Sequence, residues 1–156
     1  MNANPFMQRA VELAEKGMRA GDGGPFGAVV VRDGKIVGEG WNRVLSDGDP
    51  TAHGEITAIR DACRRLGTYC LDGCELYTTG EPCPMCLGAV YWARIDRVYY
   101  GFSVTDAAAI DFDDVIIYRE ICLPRERRQI PCMAKPSDEV RALMEAFARM
   151  PDRAKY

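Results

Sequence analysis

The chain has 156 residues, of which 47% are apolar and 28% charged, and a formal net charge of −3; this is the size and composition of one soluble globular domain. No apolar run is long enough to cross a bilayer. An acidic balance opposes a large phosphate-binding surface, since nucleic-acid affinity comes mostly from lysine and arginine, so the expected partner is a small molecule, with no nucleic acid and no membrane.

The amino-terminal stretch MNANPFMQRAVELAEKG starts polar and continues as an acidic helical pattern, whereas a secretory signal would start basic and continue apolar. The expected location is the cytoplasm. Asn4 before Pro5 predicts a helix start, and Phe6, Ala10, Leu13 and Ala14 recur at helical spacing up to the glycines near position 21. GAVVVRDGKIVGEGWN predicts a β-hairpin turning on Asp33-Gly34, because glycine accepts positive φ. A second helix is expected from near Thr51 through ITAIRDACRRL, with Ile56, Ile59 and Cys63 on one face and Gly67 at its end. His53 and Glu55 then fall in its first turn.

CELYTTG reads as a strand, CPMCLGAVYWAR as a helix entered through Pro84, and DRVYYGFS as another strand. Two more helices, DDVIIYREI and DEVRALMEAFARM, flank the proline-bounded segment LPRERRQIPCMAKP. Alternating strands and helices imply an α/β layer structure, a sheet with helices on both faces.

Seven cysteines, at 63, 70, 74, 83, 86, 122 and 132, make an odd count, which argues against a closed disulfide framework and suits a reducing compartment. Cys83 and Cys86 stand three apart at a predicted helix start, which turns both sulfurs to one side and favours their thiolates. Two thiolates and the imidazole of His53, the one histidine in the chain, form a good zinc donor set that leaves a fourth position for water. Glu55, two residues from a ligand, can take the proton that zinc loosens from that water.

Written as H-G-E followed by P-C-P-M-C, these residues match the signature of zinc-dependent base deaminases. The chain therefore resembles the cytidine deaminase superfamily, and the words GGPFGAVVV, DPTAHGEITAIR, EPCPMCLGAVYWAR and FDD are similar to those of its bacterial guanine deaminases. The resemblance implies a three-layer α/β/α sandwich with a mixed central sheet, one Zn²⁺ per chain, and hydrolytic deamination of a purine base, guanine to xanthine. It implies His53, Cys83 and Cys86 as metal ligands and Glu55 as proton shuttle. Asn42, Phe26 and Asp114 become substrate contacts, with Trp92 and Tyr156 as further pocket walls. It also implies a homodimer whose carboxy-terminal helical tail, about 136–156 of a single domain, is exchanged between subunits. Gly54 departs from the alanine that most such relatives carry, and cytosine deaminases of the superfamily share the glycine. On helix propensity alone, alanine there would stabilise by no more than about 1 kcal/mol and leave activity unchanged.

Plainer readings stand beside these. Cysteines three apart are often buried small hydrophobes, and a structural zinc would recruit Cys70 or Cys74 as a fourth ligand. Phe26 is by type a core residue, and Asp113 and Asp114 could cap the helix that follows. AGDGGPFGA lacks the endings of phosphate-binding loops and reads as a turn, and RERR as solvated surface. A cytosine or guanosine deaminase is the first enzymatic rival and a tRNA-editing adenosine deaminase, whose basic surface the charge balance lacks, the second; a zinc-stabilised binding module, which has no use for Glu55, is the non-catalytic one.

Overall fold

In the computed structural model, which describes residues 4–156, helix α1 (Pro5–Ala20) opens where the Asn4 side chain accepts the N–H groups of Phe6 and Met7 at 2.9 and 3.2 Å. The first three residues of the stretch read for a secretory signal lie outside the described residues. Strands β1 (Gly27–Arg32) and β2 (Lys35–Trp41) form the expected hairpin, with Asp33 and Gly34 both at positive φ, 50° and 70°, as a mirror-image turn requires. The register slips between Val30 and Val31, which places a bulge in the hairpin.

A one-turn helix α2 (Val44–Asp47) follows, which the sequence did not suggest. It is held from outside, by the Asp22 carbonyl accepting the N–H groups of Leu45 and Ser46 at 2.9 and 3.3 Å. Helix α3 (Gly54–Leu66) begins three residues later than its pattern suggests, because the Asp49 carboxylate takes both the N–H and the hydroxyl of Thr51 and keeps that residue in a turn. The buried face also differs from the predicted one. It is Glu55, Ala58, Ile59, Asp61 and Ala62, with Ile56 and Cys63 only half-buried. Close approach explains it: a Cβ on Gly38 would stand 2.5 Å from the Ala58 carbonyl, and one on Gly40 2.3 Å from the Ala58 nitrogen. With glycines on the strand and alanines on the helix, α3 lies directly on β2.

Strand β3 (Cys74–Gly80), helix α4 (Pro84–Ala93) and strand β4 (Arg97–Phe102) stand where the sequence puts them. Helix α5 (Val104–Ala108) was not anticipated, although its Ser103/Asp106 capping box is legible in SVTD. Helix α6 (Val115–Cys122), a 3-10 turn (Arg125–Arg127) and helix α7 (Asp138–Arg149) complete the chain.

The sheet order is β2-β1-β3-β4, with β1 antiparallel to both neighbours and β3 parallel to β4. Alternate residues of β1 face opposite layers. Ala28 and Val30 join Leu76 and the residues Ala58, Ala62, Val90 and Ala93 of α3 and α4, while Val29 and Val31 join Leu13 of α1 and Tyr77. A central strand covered on both faces explains why its sequence is a continuous apolar run. The architecture is the expected three-layer sandwich with a mixed sheet.

Residues up to Tyr118 form one compact unit and Arg119–Tyr156 a second. Within the second unit the Arg128 guanidinium donates to the carbonyls of Ile121 and Leu123, both at 3.1 Å. None of its residues is buried. All seven cysteines are free, and among the described residues no helix is long and apolar enough to cross a membrane.

Candidate active site

Two helix amino termini converge on one point. His53 is the residue immediately before α3 and Cys83 the residue immediately before α4, with Cys86 in the first turn of α4. Neither His53 nor Cys83 makes a side-chain capping bond, so both side chains are free to face each other. His53 Nδ1 stands 3.7 Å from Cys83 Sγ and 3.6 Å from Cys86 Sγ. A tetrahedral ion bonded to nitrogen and sulfur at the distances usual for zinc would set such separations at roughly 3.6 Å. These three are the one group of histidine, cysteine and acidic side chains among the described residues whose donor atoms converge in this way. Cys70 and Cys74 are not part of it, so a closed structural site finds no fourth sulfur.

The electrostatics suit a cation. The hydrogen bond from Cys86 pulls the Cys83 thiol far below its ordinary value, against burial and with help from His53, while the same bond and burial push the Cys86 thiol up. Both sulfurs lie where helix N–H dipoles favour negative charge. The hydrogen bond with Cys83 also raises the His53 pKa, with burial opposing it.

Glu55 sits in the first turn of α3, 5% exposed. Burial lifts its carboxyl to about 6, so near neutral pH it can both accept and donate a proton. The side chains of His53, Glu55 and Cys83 line a cavity of about 370 Å³ together with Phe26, Asn42 and Asp114, which brings six of the nine sequence-predicted site residues together. Cys86, fully buried, completes the metal side.

Asn42 accepts the Val44 N–H on Oδ1 at 3.1 Å and donates its backbone N–H to the Phe26 carbonyl at 2.8 Å. Phe26 packs edge-on against Phe112, ring centroids 4.8 Å apart, and tilts against Phe102 at 5.8 Å. Asp114 occupies the capping position of α6, its carbonyl accepting from Ile117 and Tyr118, and lines the cavity as well. The two readings of Asp114 therefore share one place in the fold. Burial, then the nearby Cys83 thiolate, raises its pKa.

Trp92 is 68% exposed on α4 and outside this lining, and Tyr156, 71% exposed, belongs to the second unit. Sequence reasoning missed Phe112, Leu45 and Glu81 as wall residues. Phe112 could have been found, two positions before Asp114. Leu45 could not, since it depends on the unpredicted α2. Glu81 is fixed by accepting the Val104 N–H at 3.1 Å.

Comparison with known proteins agrees with this geometry. The family described as the cytidine and deoxycytidylate deaminase zinc-binding region matches residues 1–102. The guanine deaminase of Bacillus subtilis (strain 168) is 52% identical over 156 residues, 100% of both chains. Its X-ray structure matches with a TM-score of 0.94, covering 100% of this chain and 99% of that one. A guanine deaminase structure from Nitrosomonas europaea matches at a TM-score of 0.66 and 31% identity, covering 90% and 70% of the two chains. A tRNA-specific adenosine deaminase of Aquifex aeolicus (strain VF5) is 43% identical over 100 residues, 64% of this chain and 66% of that protein.

Proposed function

The chain belongs to the cytidine and deoxycytidylate deaminase zinc-binding family, and on that premise we propose that it is a zinc-dependent guanine deaminase, hydrolysing guanine to xanthine and ammonia. The observation that carries this reading is the single cavity in which the His53 and Cys83 ligands, buried Glu55, Asn42 and Asp114 all meet. Its volume, about 370 Å³, lies at the lower end for ligand pockets and suits a free base.

Held by His53, Cys83 and Cys86, zinc supplies the Lewis acidity that brings the pKa of a water toward about 7. Glu55 takes one proton from the water that adds to guanine C2 and delivers it to the adjacent ring nitrogen. It then moves the second proton from the new C2 hydroxyl to the amino nitrogen, which leaves as ammonia while C2 becomes a carbonyl. Both protons of the water are thereby placed, one on the ring and one on ammonia. Asn42, its Oδ1 engaged by Val44, offers its amide N–H to a ring acceptor, and the Asp114 carboxylate accepts from purine N–H groups. Phe26 and Phe112 pack on the ring and keep water from it.

The active form is proposed to be a homodimer exchanging its carboxy-terminal segment, with Tyr156 closing a partner copy's cavity. Supporting this, α7 carries Val140, Leu143, Met144 and Phe147 as an apolar stripe at helical spacing, between 46% and 68% exposed, and a second unit that buries none of its own residues lacks a core. The cytoplasm suits seven unpaired cysteines.

Ammonia release measured for guanine, guanosine, cytosine, cytidine and adenine, alongside zinc content and solution mass, tests the reading. Guanine should be the preferred substrate by a wide margin. A protein with one zinc per chain that deaminates none of the five would be a binding module instead.

A further inference from the structure

The Tyr118 hydroxyl donates to the Pro82 carbonyl at 2.7 Å, across 36 positions of sequence. Pro82 is buried and immediately precedes Cys83, the residue before α4. Its carbonyl therefore lies just outside that helix and has no intrahelical donor. Tyr118 supplies one. Tyr118 is also one turn from Asp114, and its backbone N–H bonds the Asp114 carbonyl at 3.2 Å.

No residue of α6 is buried, and its isoleucines at 116, 117 and 121 are 41–52% exposed. Within one chain, then, deep packing does not fix this helix, and the Tyr118–Pro82 bond is a specific tether on its first turn. We propose that Tyr118 is the positioning residue for Asp114: its bond to Pro82 ties the start of α6 to the metal-ligand loop and sets how far the Asp114 carboxylate reaches into the cavity. The proposal rests on the reading of Asp114 as a substrate contact. It makes Tyr118 act on guanine binding through Asp114, without touching metal or substrate.

The test is a kinetic double-mutant cycle of Tyr118→Phe and Asp114→Ala, with kcat and KM for guanine read beside zinc content. Tyr118→Phe should raise KM by about tenfold, the scale of one lost hydrogen bond at a closed site, while kcat stays within about twofold and zinc remains stoichiometric. Added to Asp114→Ala, it should change KM by less than about twofold, because the residue it positions is gone. An unchanged KM in the single variant overturns the proposal, as does an equal rise in both backgrounds, which marks a general structural role. Loss of zinc in Tyr118→Phe overturns it too, since the bond then serves the metal loop. If Asp114→Ala alone leaves guanine kinetics intact, the underlying reading of Asp114 fails, and that outcome is separately visible.

Discussion

His53 and Cys83 occupy the same position on different helices, each one residue before the first turn, with Nδ1 and Sγ 3.7 Å apart. The metal site is thus built from two helix starts lying on one face of one sheet. Removing either ligand leaves two donors, which do not hold zinc tightly. His53→Ala and Cys83→Ala should each purify with far less than one zinc per chain and lack activity. Stoichiometric metal in His53→Ala would sink the site as described.

Glu55→Gln removes the proposed proton carrier and keeps the three ligands. Metal analysis should still give about one zinc per chain, while guanine turnover falls by at least about 10². Retention of most activity would show that another group moves the protons.

Gly54→Ala tests a contact that the sequence does not disclose. A Cβ at Gly54 would stand 3.0 Å from the Phe26 carbonyl oxygen and 3.2 Å from its carbon, and that oxygen also accepts the Asn42 N–H. The expectation of an unaltered activity therefore changes. Crowding offsets the helix-propensity gain, so stability should stay within about 1 kcal/mol of the parent. The KM for guanine should rise severalfold as Phe26 and Asn42 shift. Identical kinetics would mean that the strand yields at no cost to the pocket.

Asp61 makes acid stability measurable. Burial alone would push its carboxyl up, but the Glu39 backbone N–H at 3.0 Å and the Arg64 and Arg65 guanidiniums at 2.6 and 2.7 Å outweigh it and hold the pKa below the ordinary value. A depressed folded-state pKa stabilises the fold above the unfolded value and loses that contribution as pH falls through the folded one. Asp61→Asn should be about 1–3 kcal/mol less stable at pH 7. The difference should narrow as pH falls below about 4. Urea unfolding at a series of pH values checks this, and a gap independent of pH would rule out the charge as its source.

Deleting residues 152–156 should raise the KM for guanine or depress turnover, with zinc content and melting temperature kept, since closing a site strengthens the hydrogen bonds inside it. Full activity in the truncated protein would leave Tyr156 a surface residue.

The donor set of the site is written in the sequence. His53, Glu55, Cys83 and Cys86 are legible because a metal site on helix starts needs fixed local spacing, and spacing survives in a string. The hairpin at Asp33-Gly34 and the strands and helix from Cys74 to Phe102 are legible for the same reason, since turn residues and periodicity are local. What depends on distant partners appears only in the folded chain. Asp22 holds α2, and the Asp49–Thr51 turn delays α3. The glycines of β2 select the alanine face of α3, and a Cβ on Gly54 would crowd the Phe26 carbonyl across 28 positions of sequence. Trp92, an aromatic on the right helix, is exposed and is not among the residues lining the cavity. Which side of a helix meets a pocket is set by the layer packed against it, and no local pattern carries that information.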